Sequence, residues 1–221
     1  MCRSALAVVL LAASAAGFAA QGDERVTAPE MLFTPPAAGT YALPPIFTAP
    51  AGRVLDERGH SRALREFTTG RVTLLSFVYT TCGDPAGCPL AFSALAAVRE
   101  KLGRDPVAAR ATRFVSVSFD PEHDTPPVMQ LLARHFAEDR KDPAWHFLTT
   151  ASYARLAPML EGFGQDAALS LEGEGTARRI DHTLRVFLLD SRAQVREIYS
   201  SAYLMPEVIV NDIRTLLAEA R

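Results

Sequence analysis

The sequence predicts an α/β sandwich, a mixed central sheet with helices on both faces, and three observations carry that expectation. Two apolar runs, VTLLSFVY (72–79) and TRFVSVSFD (112–120), are rich in β-branched and aromatic residues, the pattern of strands buried on both faces. Each is followed by a segment with apolar residues at helical spacing, so strands and helices alternate as they do around a sheet covered on both sides. The chain then ends in two further strands and a helix. At 221 residues, 48% hydrophobic and 22% charged, it holds enough apolar material for one real core.

In chain order, RVLDERGHSRAL reads as a hairpin turning at Asp56–His60, with Gly59 at the point that needs a positive φ. VTLLSFVY is the first buried strand. PLAFSALAAVREKLG follows as a helix, with Leu90, Leu95, Val98 and Leu102 on one stripe and Pro89 suited to the first helical position. After the strand TRFVSVSFD, the helix TPPVMQLLARHFAED places Val128, Leu131, Leu132 and Phe136 on its stripe. WHFLTT (145–150) reads as a strand, and SYARLAPMLEGFG as a helix capped by Ser152. HTLRVFLLD and QVREIYSS are strands joined by a turn at Ser191–Ala193, and EVIVNDIRTLLAEA closes the chain as a helix.

The start of the chain follows other rules. Arg3 precedes an unbroken small and apolar run from Ala5 to Ala20, the layout of a secretory signal peptide over residues 1–20. Cleavage after Ala19 would leave Gly17 and Ala19 at the recognition positions. An uncleaved anchor is the rival reading, and sixteen residues are short against the ~20 that span a bilayer. Residues 21–50, with APEMLFTPPAAGTYALPPIFTAP, are too rich in proline for a helix interior or a central strand and read as an extended tether into a domain over 51–221. A formal net charge of −2, or −3 once Arg3 is removed, gives no basic footprint, so nucleic acid is excluded as a partner. A membrane enters only with an uncleaved N-terminus. The compartment expected is periplasmic or otherwise exported, with tethering to the inner membrane under the anchor reading.

Cleavage removes Cys2 and leaves Cys82 and Cys88, in YTTCGDPAGCPL, where a buried strand gives way to a helix. Open α/β sheets place their functional sites at that end of a strand. A structural disulfide is a weak explanation, because closing so short a loop constrains the unfolded chain little and a chain of this length needs no staple. Cys88 falls beside Pro89 at a helix N-terminus, where unpaired N–H groups and the helix dipole are expected to lower a thiol's pKa. A thiolate is both the nucleophile of disulfide exchange and a soft ligand for copper, so the local chemistry permits a redox pair and a metal half-site alike. Five intervening residues suit a pair that spans a metal better than one tuned for rapid exchange. Zinc is disfavoured, since its structural sites use four ligands. Third-ligand candidates are His60, His123, His135, His146 and His182. His135 beside Phe136 and His146 beside Trp145 read as packing residues, and His60 lies in a turn. His182, taken to open the strand after EGEGTARRID, is the first choice, and His123 in DPEHDTPP the second.

Four segments in order then resemble the Sco/SenC family of copper-binding cytochrome c oxidase assembly proteins. They are SFVYTTCGDPAGCPLAF, VSVSFDPEHDTPPVM, WHFLTT and DHTLRVFLLDSRAQV, and the resemblance extends over about Ala42–Ala220. It implies a thioredoxin-like sandwich and copper, as Cu(I) or Cu(II), held by Cys82, Cys88 and His182. Asp120 and Asp181 would be groups behind those ligands. It also implies a metallochaperone whose client is a cuproprotein such as cytochrome c oxidase subunit II, with its dinuclear copper site. The alternative is a thiol–disulfide oxidoreductase in which Cys82 and Cys88 form the redox pair, keep client cysteines reduced and draw on a thiol reductant as partner. The family's usual pair is C-x-x-x-C with proline after the first cysteine. Here it is C-x5-C with Gly83 in that place, while Cys88-Pro89-Leu90 is intact, so the expectation is a retuned site rather than a lost one.

Overall fold

The computed structural model describes residues 28–137, 143–165, 167–171 and 178–219. The expected signal peptide, residues 1–20, lies outside the described residues. No described helix is long and apolar enough to cross a membrane.

The two apolar runs form the centre of the molecule. β4 (Val72–Val78) and β5 (Thr112–Ser118) pair in parallel, and every residue of both is buried. Parallel to β5 runs β6 (Ala144–Leu148), while β9 (Arg185–Leu189) and β10 (Gln194–Ser200) add on antiparallel beyond β4. The two-residue β1 (Phe47–Thr48) completes a mixed six-stranded sheet ordered β1-β10-β9-β4-β5-β6. Side chains alternate across it. Leu74, Phe114, Phe147, Val186 and Leu188 face α2 (Cys88–Gly103), α4 (Pro126–Ala137) and α6 (Pro206–Glu219). Leu75, Phe77, Val115, Val117, Phe187 and Leu189 face α5 (Tyr153–Gly162) and the short α1 (Arg65–Thr68). The mixed sandwich with helices on both faces is therefore present.

Local expectations hold where the residues dictate the backbone. β2 (Arg53–Leu55) and β3 (Ser61–Ala63) form the hairpin, Gly59 has φ 80°, and the Asp56 carboxylate accepts from the N–H groups of Arg58 and His60. The turn before β10 puts Ala193 at φ 63°. Elsewhere packing changed the detail. α4 buries Met129 and packs Leu132, Ala133 and Phe136 on the core, while Leu131 is exposed, so its inner stripe is displaced from the one expected. Ser152 stands at the N-cap of α5 through its backbone alone. α3 (Pro106–Ala111) was not foreseen, although its Asp105-Pro106 start, with the carboxylate accepting from Val107 and Ala108 N–H, is a cap signal. A second hairpin, β7 (Ala167–Leu171) with β8 (Arg178–His182), was also unforeseen and pairs outside the main sheet.

The described part of the proline-rich segment, residues 28–50, makes a turn at Ala37–Thr40 and is pinned along the domain. Gly39 N–H donates to Thr215 Oγ1, Tyr41 to the buried Asp212 carboxylate, and Ile46 N–H to the Val195 carbonyl. Leu43 is buried in the core. A chain without regular structure still needs partners for its N–H groups, and α6 and the β10 edge supply them.

Candidate metal centre

β4 ends at Val78, and the chain turns through Tyr79 and Thr80 into the spacer between the cysteines. That spacer folds back on itself. The Asp84 side chain accepts from Ala86 N–H at 2.9 Å and its carbonyl from Gly87 N–H at 3.0 Å, an Asx turn closed by a β-turn. The fold-back brings the Cys82 sulfur over Gly87, where an added Cβ would lie 3.1 Å from it and 3.2 Å from the Asp84 carbonyl oxygen, so a side chain there would press on the sulfur. Cys88 then opens α2 with Pro89 behind it, close to the expected position.

Both cysteines are free thiols, Cys88 buried and Cys82 partly exposed. Four donors converge on Cys82 Sγ: the Cys88 thiol, the N–H groups of Cys88 and Asp84, and the Tyr79 hydroxyl. The bond from Cys88 is the largest influence, and together they hold the Cys82 thiol far below its ordinary value, at about 5. Cys88 is pushed the other way, because its proton is held in the bond to Cys82 and because it is buried. This reverses the expectation that the helix N-terminus would ionise Cys88. The N–H at the start of α2 points at Cys82, so the helix favours charge on the sulfur in front of it and not on the one it carries.

The loop after β5 braces this arrangement. Asp124, 1% exposed, accepts from Thr80 N–H at 3.2 Å, from the Thr80 hydroxyl, and from Ser118 Oγ at 2.6 Å. Burial raises its pKa, and its charge lies close enough to Cys88 to help keep that thiol protonated. The sequence signal for Asp124 is a second aspartate four residues after Asp120. Asp120 itself, buried, accepts His123 Nδ1 at 2.9 Å. Ligand atoms of Asp120, Glu122 and His123 lie within 4.8 Å of one another.

His182 is the last residue of β8, with Ala167 as its Cα partner. The expectation that it opens a strand is corrected: it closes β8, and β9 starts at Arg185. The side chains of Asp181 and His182 lie outside the described residues. The backbone of β8 does reach the cysteines, because Ile180 N–H donates to the Tyr79 hydroxyl that itself donates to Cys82. Two residues of strand, about 7 Å, separate Ile180 from His182. The other histidines are placed as expected of packing and surface groups. His135 meets the Phe136 ring edge-on, His146 does the same with Phe67, and His60 sits 3.4 Å from Asp56.

The family model described as SCO1/SenC matches residues 51–218. The comparison with curated proteins found no match. Among solved structures, the copper-bound ScoI of Bradyrhizobium japonicum is similar at 23% identity and TM-score 0.62, over 76% of this chain and 98% of that one. Apo Sco1 from Thermus thermophilus is similar at 27% identity and TM-score 0.64, over 80% and 95%. BsSco, a member of the Sco family of cytochrome c oxidase assembly proteins in which a disulfide switch was identified, is similar at 22% and 0.59, over 79% and 96%. The sandwich is thioredoxin-like, and the chain belongs to the SCO1/SenC family.

Proposed function

We propose that this protein is an exported copper carrier. Cys82 and Cys88 supply two thiolate ligands and His182 an imidazole, and copper is the cargo delivered to a cuproprotein, the dinuclear site of cytochrome c oxidase subunit II being the client that family membership favours. The observation that carries this reading is the Cys82 sulfur: ionised at neutral pH, partly exposed, and gathered against a second sulfur at the carboxyl end of a buried strand. Two soft sulfurs suit Cu(I), and an added imidazole makes Cu(II) acceptable. Metal binding would displace the proton that Cys88 now donates to Cys82, so loading releases acid. Export rests on the basic and apolar N-terminus.

The test is Cu(II) addition to the reduced domain, read by thiolate-to-copper charge transfer. One equivalent should produce the band, and His182→Ala should weaken binding at least tenfold. Stoichiometric binding unaffected by His182→Ala would remove the proposed ligand set.

The second reading, thiol–disulfide exchange, is favoured by one observation, the hydrogen bond between the two sulfurs. In that reading Cys82 is the attacking thiolate and Cys88, buried behind it, resolves the mixed disulfide. The same domain would then reduce a client's cysteines before they accept metal.

A further inference from the structure

Tyr79 touches each element that the copper reading uses. It is the first residue beyond β4 and 5% exposed. Its carbonyl accepts Cys82 N–H and its N–H donates to Cys88 Sγ, both at 3.4 Å. Its hydroxyl donates to Cys82 Sγ and accepts from Ile180 N–H. A buried phenol needs partners for donor and acceptor alike, and here one partner is in the cysteine loop and the other in β8. The β7–β8 hairpin is not paired with the six-stranded sheet. What ties β8 to the domain includes the buried Ile180 side chain and this one bond to a phenol.

We propose that Tyr79 is a positioning residue whose hydroxyl couples the two halves of the site, so that the state of the Cys82 sulfur is felt in the strand that carries His182. The proposal rests on reading Cys82, Cys88 and His182 as one site. The Cys82 sulfur accepts the O–H, and in a hydrogen-bonded chain each bond polarises the next, so the same oxygen accepts more strongly from Ile180. When the sulfur gives its electron pair to a disulfide or a metal, the hydroxyl loses that acceptor and its hold on Ile180 weakens.

The experiment uses metal-free protein, so it stands or falls apart from copper binding. Tyr79→Phe removes one oxygen and keeps the ring. Exchange of the Ile180 amide, followed by NMR, should quicken at least tenfold, while Phe77 and Val117 amides in the central strands stay within twofold of wild type. The equilibrium with glutathione is the second reading. In that exchange the Cys82–Cys88 bond forms as the bond of glutathione disulfide breaks, with two electrons passing to the glutathione sulfurs. Loss of a donor to the Cys82 sulfur of the reduced pair should shift the equilibrium constant about tenfold toward the protein disulfide, a potential about 30 mV lower. In unaltered protein, oxidation of the pair should by itself quicken Ile180 exchange severalfold. Unchanged exchange at Ile180, an unchanged equilibrium constant, or equal acceleration at Phe77 and Val117 overturns the proposal.

Discussion

The loops after β4 and β5 leave neighbouring parallel strands at the same end of the sheet, and both lead into a helix with proline in its first turn. They handle their anions in opposite ways. In the first, the N–H groups of Asp84 and Cys88 turn inward beside the Cys88 thiol and the Tyr79 hydroxyl onto the Cys82 sulfur, which stays partly exposed. In the second, the Asp124 carboxylate is fully buried and draws its donors from the other loop, at Thr80, and from its own strand, at Ser118. One loop therefore stabilises a soft anion that can still meet a ligand. The other uses a hard anion as a brace and keeps it away from solvent. Reactivity at this end of the sheet depends on how the donors are arranged: the four on Cys82 leave the sulfur partly open, whereas those on Asp124 close over the carboxylate.

The largest effect that separates the loops is in the sulfur chemistry. Alkylation of reduced, metal-free protein should rise through pH of about 5 and be level by pH 7, all of it at Cys82. An ordinary thiol would still be climbing toward its midpoint at ~8.5. Cys88 should react more than about a thousandfold slower, because it is 1% exposed and keeps its proton. The sign for stability follows. The folded pKa is depressed, so the unfolded chain binds more protons between about 5 and ~8.5. Stability of reduced protein over Cys82→Ser should increase across that window and be lost as pH falls through about 5. A midpoint near 8 would mean that the loop does not hold the sulfur as a thiolate.

A smaller but clear effect is expected from the brace. Asp124→Ala leaves the Thr80 N–H, the Thr80 hydroxyl and the Ser118 hydroxyl without their acceptor in a buried place, and should cost about 2–4 kcal/mol in urea unfolding. Asp124→Asn keeps one oxygen and should cost about half as much, since burial already disfavours the charge. If the two substitutions cost the same, the negative charge itself, and not the set of hydrogen bonds, is what the brace requires.

How far the residues announced this site depends on the distance over which each interaction acts. β4 was evident because seven consecutive residues are buried on both faces, and no other element tolerates that run. The cysteine loop was evident in position, since strand, turn residues and Pro89 are all local signals. The order of the two thiol pKa values was not, because it turns on which sulfur the α2 N–H faces, and the fold-back over Gly87 decides that. Tyr79 and Asp124 carry no local signal of their roles, since the partners that define them, Ile180 and Thr80, lie 101 and 44 residues away in sequence (180 − 79 and 124 − 80). The β7–β8 hairpin was missed for a related reason. It lies outside the main sheet, so neither strand needs the long apolar run that marks β4 and β5, and His182 was read onto the next strand.

The smallest effect expected bears most directly on the comparison. His123 is the histidine of the second loop, and Asp120 holds its Nδ1 at 2.9 Å. If the loops divide their labour as the geometry indicates, the second loop contributes rigidity and no ligand. His123→Ala should then leave the Cu(II) charge-transfer band in place and lower affinity by less than about threefold, as a surface substitution near a site does. Asp120→Asn should do still less. The imidazole is paired with a carboxylate of its own loop, and moving it to a metal would leave Asp120, which is 5% exposed, without that partner. Loss of the band in His123→Ala, with the band retained in His182→Ala, would move the third ligand from β8 to the loop after β5. The two loops would then share the metal, and the buried Asp124 bridge to Thr80 would be the hinge that sets the distance between them.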